Sequence, residues 1–251
     1  MEPTDNSGKA RSPTKAPDPL QSGAVPVAVD LASDQPFGPH AAQILATEHW
    51  SLLATRSLIW NEAMSRATVF LTVLSAGIIA LALLADATGF GAETTTMALV
   101  VLPVVFLLGI AAYARLVQIN AEEFQLVLAM NRLRRAYLAL EPGLERYLST
   151  GHHDDQRGVF ATYMVERPSQ RALWLHFLVN TPNIVATVDA ALAAAMVVLG
   201  LRAAETPQAG VVAAGVAAFL LVWSTLFLLQ RQTLSPFRHQ TPRFPTPAGR
   251  P

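Results

Sequence analysis

Four long stretches with almost no charge constrain this chain more than any other feature of its sequence. The first, residues 67–85, contains nineteen residues and no charged side chain. An α-helix rises 1.5 Å per residue, so about twenty apolar residues cross the ~30 Å hydrocarbon core of a bilayer. Only 14% of the chain is charged, against roughly 25% in soluble domains. We therefore predict an all-α membrane protein with transmembrane helices at residues 67–85, 97–119, 182–201 and 210–230.

Two of these spans continue without a break into amphipathic helices. In residues 40–66, Leu45, Leu52 and Ile59 repeat every seven positions and lead directly into the first span. The second span is extended at its C-terminal end, where the helix continues until Glu141-Pro142-Gly143 stops it. Its extension has apolar residues alternately four and three apart, as a coiled coil does: Leu126, Met130, Leu133, Tyr137 and Leu140. We predict two transmembrane hairpins, the first extended by long cytoplasmic helices packed antiparallel.

The distribution of arginine sets the predicted orientation, because basic residues accumulate on the cytoplasmic side of membrane proteins. The loop between spans one and two has no Lys or Arg, and the loop between spans three and four has only Arg202. Residues 120–180 contain seven Arg, and residues 231–251 contain four. We predict a multi-pass protein of the inner membrane with both termini in the cytoplasm. The first forty residues lack a basic segment followed by an apolar core, so we expect no cleaved signal peptide.

The segments outside the spans divide into disordered ends and a helical centre. Residues 1–39 and 231–251 are predicted to be disordered cytoplasmic tails; the first is rich in Pro and poor in large apolar side chains. The central segment, residues 120–180, is predicted to be helical and cytoplasmic. It should contain a loop at 151–155, a short helix at 159–166 and an interfacial helix at 169–180. Thr181 is the predicted N-cap of the third span, with Pro182 at its first helical position.

Asp189 is the one acidic residue inside a predicted span. A charge at that depth costs several kcal/mol unless it is paired or hydrated, so such residues are candidates for function. Arg115, at a comparable depth in the second span, is the predicted partner, and His176 is a second candidate. Three interpretations follow. Asp189 and Arg115 form a charge pair that locks spans two and three, they line an ion- or proton-conducting path, or the span is displaced so that Asp189 lies near the membrane interface.

Other patterns that could carry chemistry favour structural roles. The His152-His153-Asp154-Asp155 stretch offers metal ligands, but adjacent loop residues lack the spacing that puts two donors on one helical face, so a solvated turn is preferred. Glu62 and Glu122-Glu123 have no Glu-x-x-His pair, the usual signature of a helical-bundle metal site. The sequence contains no phosphate-binding glycine loop and no serine nucleophile elbow. We predict no catalytic residue, no metal and no cofactor.

One stretch resembles a known group of proteins. Residues Leu45 to Leu58, LATEHWSLLATRSL, followed by Trp60-Asn61-Glu62, look like an uncharacterised family of bacterial four-span integral membrane proteins. The resemblance covers the pre-membrane helix and span one, and it implies no activity. More loosely, a cytoplasmic helix, a two-span hairpin and a long cytoplasmic helix are similar to two-span effector modules of bacterial defence systems. The second hairpin departs from that plan, so pore formation does not transfer to this chain.

The functional prediction is a non-enzymatic integral membrane protein, either an oligomeric channel-like protein or a scaffold. The alternatives are an accessory subunit of a larger membrane complex and a membrane-embedded enzyme. A pore should have a polar stripe, and Thr68, Thr72 and Ser75 make a short one in span one. The expected partners are the lipid bilayer and a second copy or another membrane protein. Nucleic acid is not expected, because the net charge is zero.

Overall fold

The part of the chain that the structure describes is mainly helical. A computed structural model describes residues 37–89, 91–163, 180–238 and 240–247. These residues contain no strand, and four of the helices are long and apolar enough to cross a membrane, which confirms the all-α prediction with four such helices. The helices are α1 (Ala41–Thr88), α2 (Ala92–Leu140), α3 (Gln156–Thr162), α4 (Thr181–Ala203) and α5 (Gln208–Arg238), with a 3-10 helix at Pro142–Tyr147.

The first two helices are much longer than a bilayer requires. Helix α1 has 48 residues and α2 has 49, so each is about 72 Å long at 1.5 Å per residue. Helix α1 ends where Gly89 takes the left-handed conformation (φ 66°) and donates its N–H to the carbonyl of Ala85. Helix α2 begins at Ala92, earlier than the predicted span. It ends at Leu140, where the sequence predicts the stop.

Helix α2 is the centre of the packing. It contacts α1, α3, α4 and α5, and sixteen of its residues are buried, against three in α1. Contacts between α1 and α2 pair late residues of one helix with early residues of the other, from Thr88 beside Thr94 to Arg56 beside Glu123. Apolar residues at these contacts and at those with α4 and α5 form one core. Among the described residues, helix α1 has its extended contact with α2 alone.

The start of α4 differs from the prediction by one residue. Asn180, and not Thr181, is the N-cap, and its side chain accepts a hydrogen bond from the N–H of Asn183 at 3.0 Å. An amide oxygen at this position satisfies one of the N–H groups that the first helical turn leaves free. Pro182 follows in the first turn, as predicted.

The end of the chain is more ordered than the sequence predicts. Helix α5 continues to Arg238, eight residues past the predicted end of span four at residue 230. Residues 243–246 then bind the loop after α2, through contacts described below. The tail at 231–251, which the sequence predicts to be disordered, is helical up to Arg238. Its residues 243–246 bind the loop after α2.

The central segment agrees in part with the prediction. The predicted loop at 151–155 is non-helical, and the short helix lies at Gln156–Thr162, three residues earlier than predicted. The side chain of Asp155 caps this helix by accepting from the N–H of Gly158 at 2.8 Å. The predicted interfacial helix at 169–180, apart from Asn180, and the predicted tail up to residue 36 lie outside the described residues.

Candidate functional site

Asp189 is fully buried between α4 and α2. Its exposed fraction is 0%, and neither carboxylate oxygen has a hydrogen-bond partner among the described residues. The carboxylate lies against Gly109 of α2, where a Cβ would come within 2.6 Å of Asp189 Cγ. The two helices approach this closely because glycine has no side chain. Burying a charged carboxylate without a partner costs free energy, so its charge must be neutralised. Carboxyl groups inside membranes that meet this requirement often lie on ion or proton pathways.

Two further polar side chains are buried, one on α2 and one on α5. Tyr113, one turn after Gly109, donates its hydroxyl hydrogen to the backbone carbonyl of Leu226 on α5. Gln230, one turn after Leu226, is 0% exposed, and both of its amide atoms lack a partner among the described residues. Because most buried polar groups are hydrogen-bonded, Asp189 and Gln230, together with Nδ1 of His153, are exceptions among the described residues.

Arg115 does not pair with Asp189, contrary to the prediction. Its guanidinium binds Glu62 of α1 through two hydrogen bonds of 2.9 Å, and it binds Glu122 at 2.7 Å. Six residues separate Gly109 from Arg115, which corresponds to about 9 Å along α2 and to a different face of the helix. Arg115 therefore lies on the side of α2 that faces α1, whereas Asp189 of α4 contacts α2 at Gly109. The other predicted partner, His176, lies outside the described residues.

Charged residues join α1 to α2 just before the start of the first predicted span. Glu62 accepts from both Arg115 and, at 2.9 Å, Arg66. About two turns earlier in α1, Arg56 pairs with Glu123 at 3.0 Å, and the hydroxyl of Tyr163 also donates to Glu123. The hydrogen bonds from Arg115 and Arg66 lower the pKa of Glu62 to about 2. We call these residues (Arg56, Glu62, Arg66, Arg115, Glu122 and Glu123) the ion-pair cluster.

The lowered pKa of Glu62 predicts how the ion-pair cluster responds to pH. Since the folded-state pKa lies below the usual 4.5, Glu62 stabilises the fold fully above pH 4.5, and this contribution disappears as the pH falls through about 2. Glu62→Gln should lower the melting temperature at pH 7. The difference from the wild type should narrow between pH 4.5 and pH 2. Glu93→Gln, at an exposed position on α2, is the control, and an equal difference at pH 7 and pH 2.5 would contradict the assignment.

The loop after α2 holds the C-terminal segment. Asp154, whose side chain is fully buried, accepts from the backbone N–H groups of Arg243 at 3.0 Å and Phe244 at 2.7 Å. Asp155 accepts from the N–H and the hydroxyl of Thr246 at 2.8 and 2.9 Å. Arg132 of α2 donates to Asp154 at 2.8 Å. We call this arrangement the C-terminal clasp.

The electrostatics of the clasp favour charged carboxylates. Burial alone would raise the pKa of Asp154, but its bonds to Arg132 and to the backbone N–H groups of Phe244 and Arg243 outweigh burial and lower it. The pKa of Asp155 is lowered against the same opposing effect by bonds from Gly158 and Thr246. Both aspartates of the predicted solvated turn are therefore engaged in binding backbone, rather than exposed to water as a free pair.

A buried asparagine anchors the clasp to α2. Asn131 is 0% exposed; its amide donates to the carbonyl of His153 at 2.8 Å, and its oxygen accepts from Arg134 and Thr162. Arg134 also donates to the carbonyl of Gly151. Arg132 and Arg134, which the arginine distribution predicts to lie on the cytoplasmic side, also hold the loop after α2 through these hydrogen bonds. Among the described residues, no group of three or more His, Asp or Glu side chains is placed to hold a metal ion.

Sequence reasoning found Asp189 but missed Gly109, which lies against it, and the buried polar side chains Tyr113 and Gln230. Gly109 lies in an apolar run without any local signal, and Gln230 is the last residue of a predicted span, where a polar residue is ordinary. Tyr113 gave no signal either, because aromatic residues are common near membrane surfaces. No family model, curated protein or solved structure matches the chain.

Proposed function

We propose that the chain is a non-enzymatic integral membrane protein that acts as an oligomeric scaffold. The observation that carries this proposal is the length and partnering of α1. This helix extends about 72 Å, and in the part of the chain that the structure describes it has its extended contact with α2 alone. The charged groups of the ion-pair cluster and the clasp support it, because each of them binds another part of the same chain. Such contacts make a stiff body that projects from a membrane and offers surfaces to partners.

The proposed arrangement places two hairpins in the inner membrane. The first consists of α1 and α2, with the extensions of both helices packed antiparallel in the cytoplasm; the second consists of α4 and α5. The arginine distribution supports cytoplasmic termini. The contact of the C-terminal segment with the loop after α2 also supports this, because it requires both to be on one side. Arg115 then lies at the cytoplasmic boundary, level with Glu62.

Reporter fusions test this topology. A fusion after Gly89 should report the periplasm, and a fusion after Gly151 should report the cytoplasm. The physical reason is the contrast in Arg content between the short loops and the central segment. Paired alkaline phosphatase and fluorescent-protein fusions give opposite signals on the two sides. If both positions report the same side, the two-hairpin arrangement is wrong.

A second candidate function, an ion- or proton-conducting channel, is favoured by one observation. Asp189 is a buried carboxyl group that has no hydrogen-bond partner among the described residues, as residues on ion paths often are. Against it, the hydroxyls of Thr72 and Ser75 in the polar stripe of span one bind carbonyls of their own helix. The two surface depressions beside Ala92–Val100 and beside Gln43–Glu48 do not involve Asp189.

Flux through proteoliposomes separates the two candidate functions. The scaffold proposal predicts no proton or monovalent-cation flux above that of protein-free liposomes. A channel would give flux that Asp189→Asn abolishes, while Asp86→Asn at the exposed end of α1 leaves it unchanged. Flux that depends on Asp189 in this way would overturn the scaffold proposal and assign the conducting path to the α2–α4 contact.

A further inference from the structure

Helix α1 presents a second apolar stripe that nothing in the described structure covers. The first stripe, with Leu45, Leu52 and Ile59, is half-buried against α2, as the heptad spacing predicts. The second stripe consists of positions one residue later, which lie about 100° further around the helix axis. Its two tryptophans are strongly exposed: Trp50 is 73% exposed and Trp60 is 58% exposed. We call it the outer stripe; its members are Ala46, Trp50, Leu53, Ser57 and Trp60.

The outer stripe has the spacing of a coiled-coil contact. Its members are alternately four and three residues apart, which keeps them on one side of a supercoiled helix. The same spacing continues into the predicted span through Met64, Ala67, Leu71, Leu74 and Ile78. Met64 and Leu74 in this continuation are half-buried against the core of the same chain. Of these, Leu71 is 42% exposed and Ile78 is 53% exposed. The partner that fits such a surface is another α-helix lying alongside α1.

Charge is confined to a different side of α1. The four charged residues between residues 41 and 66 are Glu48, Arg56, Glu62 and Arg66. At 100° per residue, Glu48, Glu62 and Arg66 lie roughly opposite the outer stripe, and Arg56 points toward its partner on α2. The outer stripe therefore has no charge of its own. A helix face in contact with water normally carries polar and charged residues, so this face is typical of a contact surface.

Lipid cannot cover the whole outer stripe in the proposed arrangement. Trp50 lies 17 residues before residue 67, where span one begins, which is about 26 Å of continuous helix. The headgroup layer on each side of the hydrocarbon core is only about 5–8 Å thick. Trp50 therefore lies beyond the membrane, and its partner is protein.

We propose that the outer stripe binds the outer stripe of a second copy of this chain; this inference rests on the proposed topology. Two copies inserted in the same orientation place their α1 helices parallel and at equal height, so a two-fold axis brings identical residues together. A surface without charge is compatible with itself, because no like charges meet. In such a dimer Trp50, Leu53 and Ser57 face the same residues of the second copy.

To bury as much area as a stable interface does, the outer stripe must be in contact over its full length. Each tryptophan buries about 150–250 Å² when fully covered, so four partly exposed indoles contribute roughly 500 Å². A stable interface buries about 1,200–2,000 Å² in total. The remainder must come from Leu53 and from the continuation into the span at Leu71 and Ile78. The parallel arrangement brings these residues together as well.

Cysteine cross-linking tests the proposal, since the chain contains no cysteine of its own. A disulfide requires Cβ atoms about 3.5–4.5 Å apart. In native membranes under mild oxidation, Leu53→Cys and Ser57→Cys should form disulfide-linked dimers at least tenfold more than Ala54→Cys and Asn61→Cys. The two control positions are exposed neighbours off the stripe, and all four variants keep both tryptophans.

The outcomes distinguish this inference from the proposed function. Equal cross-linking at all four positions, or none at Leu53 and Ser57, in a protein whose mass shows several copies overturns the outer-stripe dimer and leaves the scaffold proposal standing. A monomeric mass overturns both. Efficient quenching of Trp50 fluorescence by brominated lipids, measured in a variant with the other tryptophans replaced, would show that lipid covers the stripe and would overturn the inference.

Discussion

Gly109→Ala is expected to lower the melting temperature of the protein by roughly 2–12 °C. The added Cβ would lie 2.6 Å from Asp189 Cγ, well inside van der Waals contact. Asp189 is fully buried, so its short side chain has no free space into which it can rotate. Overpacking of this kind costs about 1–3 kcal/mol, and 3 kcal/mol corresponds to several degrees for a chain of this size. Thermal unfolding in mild detergent measures the effect.

Two further variants show whether the loss comes from the contact with Asp189. Gly200→Ala is the matched control: Gly200 is also in a helix long and apolar enough to cross a membrane, but a Cβ there meets nothing within 4 Å. It should leave stability unchanged or raise it slightly, because alanine favours helix. Adding Asp189→Ala to Gly109→Ala should recover at least half of the lost stability, a coupling expected only between residues in contact. Equal melting temperatures for Gly109→Ala and Gly200→Ala would contradict the structure at this contact.

Asp154→Ala is expected to release the C-terminal segment. It removes the acceptor for the N–H groups of Arg243 and Phe244 and the partner of Arg132. Hydrogen bonds to a charged group contribute about 1.5–3 kcal/mol each, so losing two of them favours the open clasp by roughly a hundredfold or more. Trypsin cleaves after Arg, and the bond between Arg243 and Phe244 lies inside the clasp. Its rate of cleavage, followed by mass spectrometry, should rise accordingly.

The control for this variant is Arg157→Ala, which removes an exposed charge three residues along the chain. It should leave cleavage after Arg243 unchanged. Thr246→Ala should give a smaller increase, because it deletes one hydroxyl bond to Asp155 and keeps the backbone bond. Cleavage after Arg243 that is equally fast in the wild type and in Asp154→Ala would show that the clasp does not close in solution.

The parts of the fold that follow from local pattern could be predicted from the sequence. Charge-free runs of helix length predict four apolar helices, and the four-three spacing before and after them predicts amphipathic extensions. The stop at Leu140 follows from Pro142 and Gly143, because proline cannot continue a helix and glycine favours its end. The exact start of α4 could not be predicted, because both Asn180 and Thr181 are polar residues that can cap a helix and the pattern alone does not decide between them.

The parts that depend on contacts distant in sequence could not be predicted in this way. Arg115 and Asp189 looked like partners because both are charged and lie at similar depth, but the face of each helix decides pairing, and Glu62 offered Arg115 a closer carboxylate. The clasp joins residues about ninety positions apart through backbone N–H groups. Backbone donors leave no trace in residue type, so a proline-containing tail appeared disordered.

The mass of the intact protein in mild detergent or lipid nanodiscs tests the scaffold proposal most directly. One chain has a mass of 27.0 kDa. Native mass spectrometry or light scattering with the lipid contribution subtracted should give an integer multiple of that value, at least two. A stable complex with a different protein would favour the accessory-subunit alternative over the scaffold. A mass of one chain, in membranes as well as in detergent, would contradict the account.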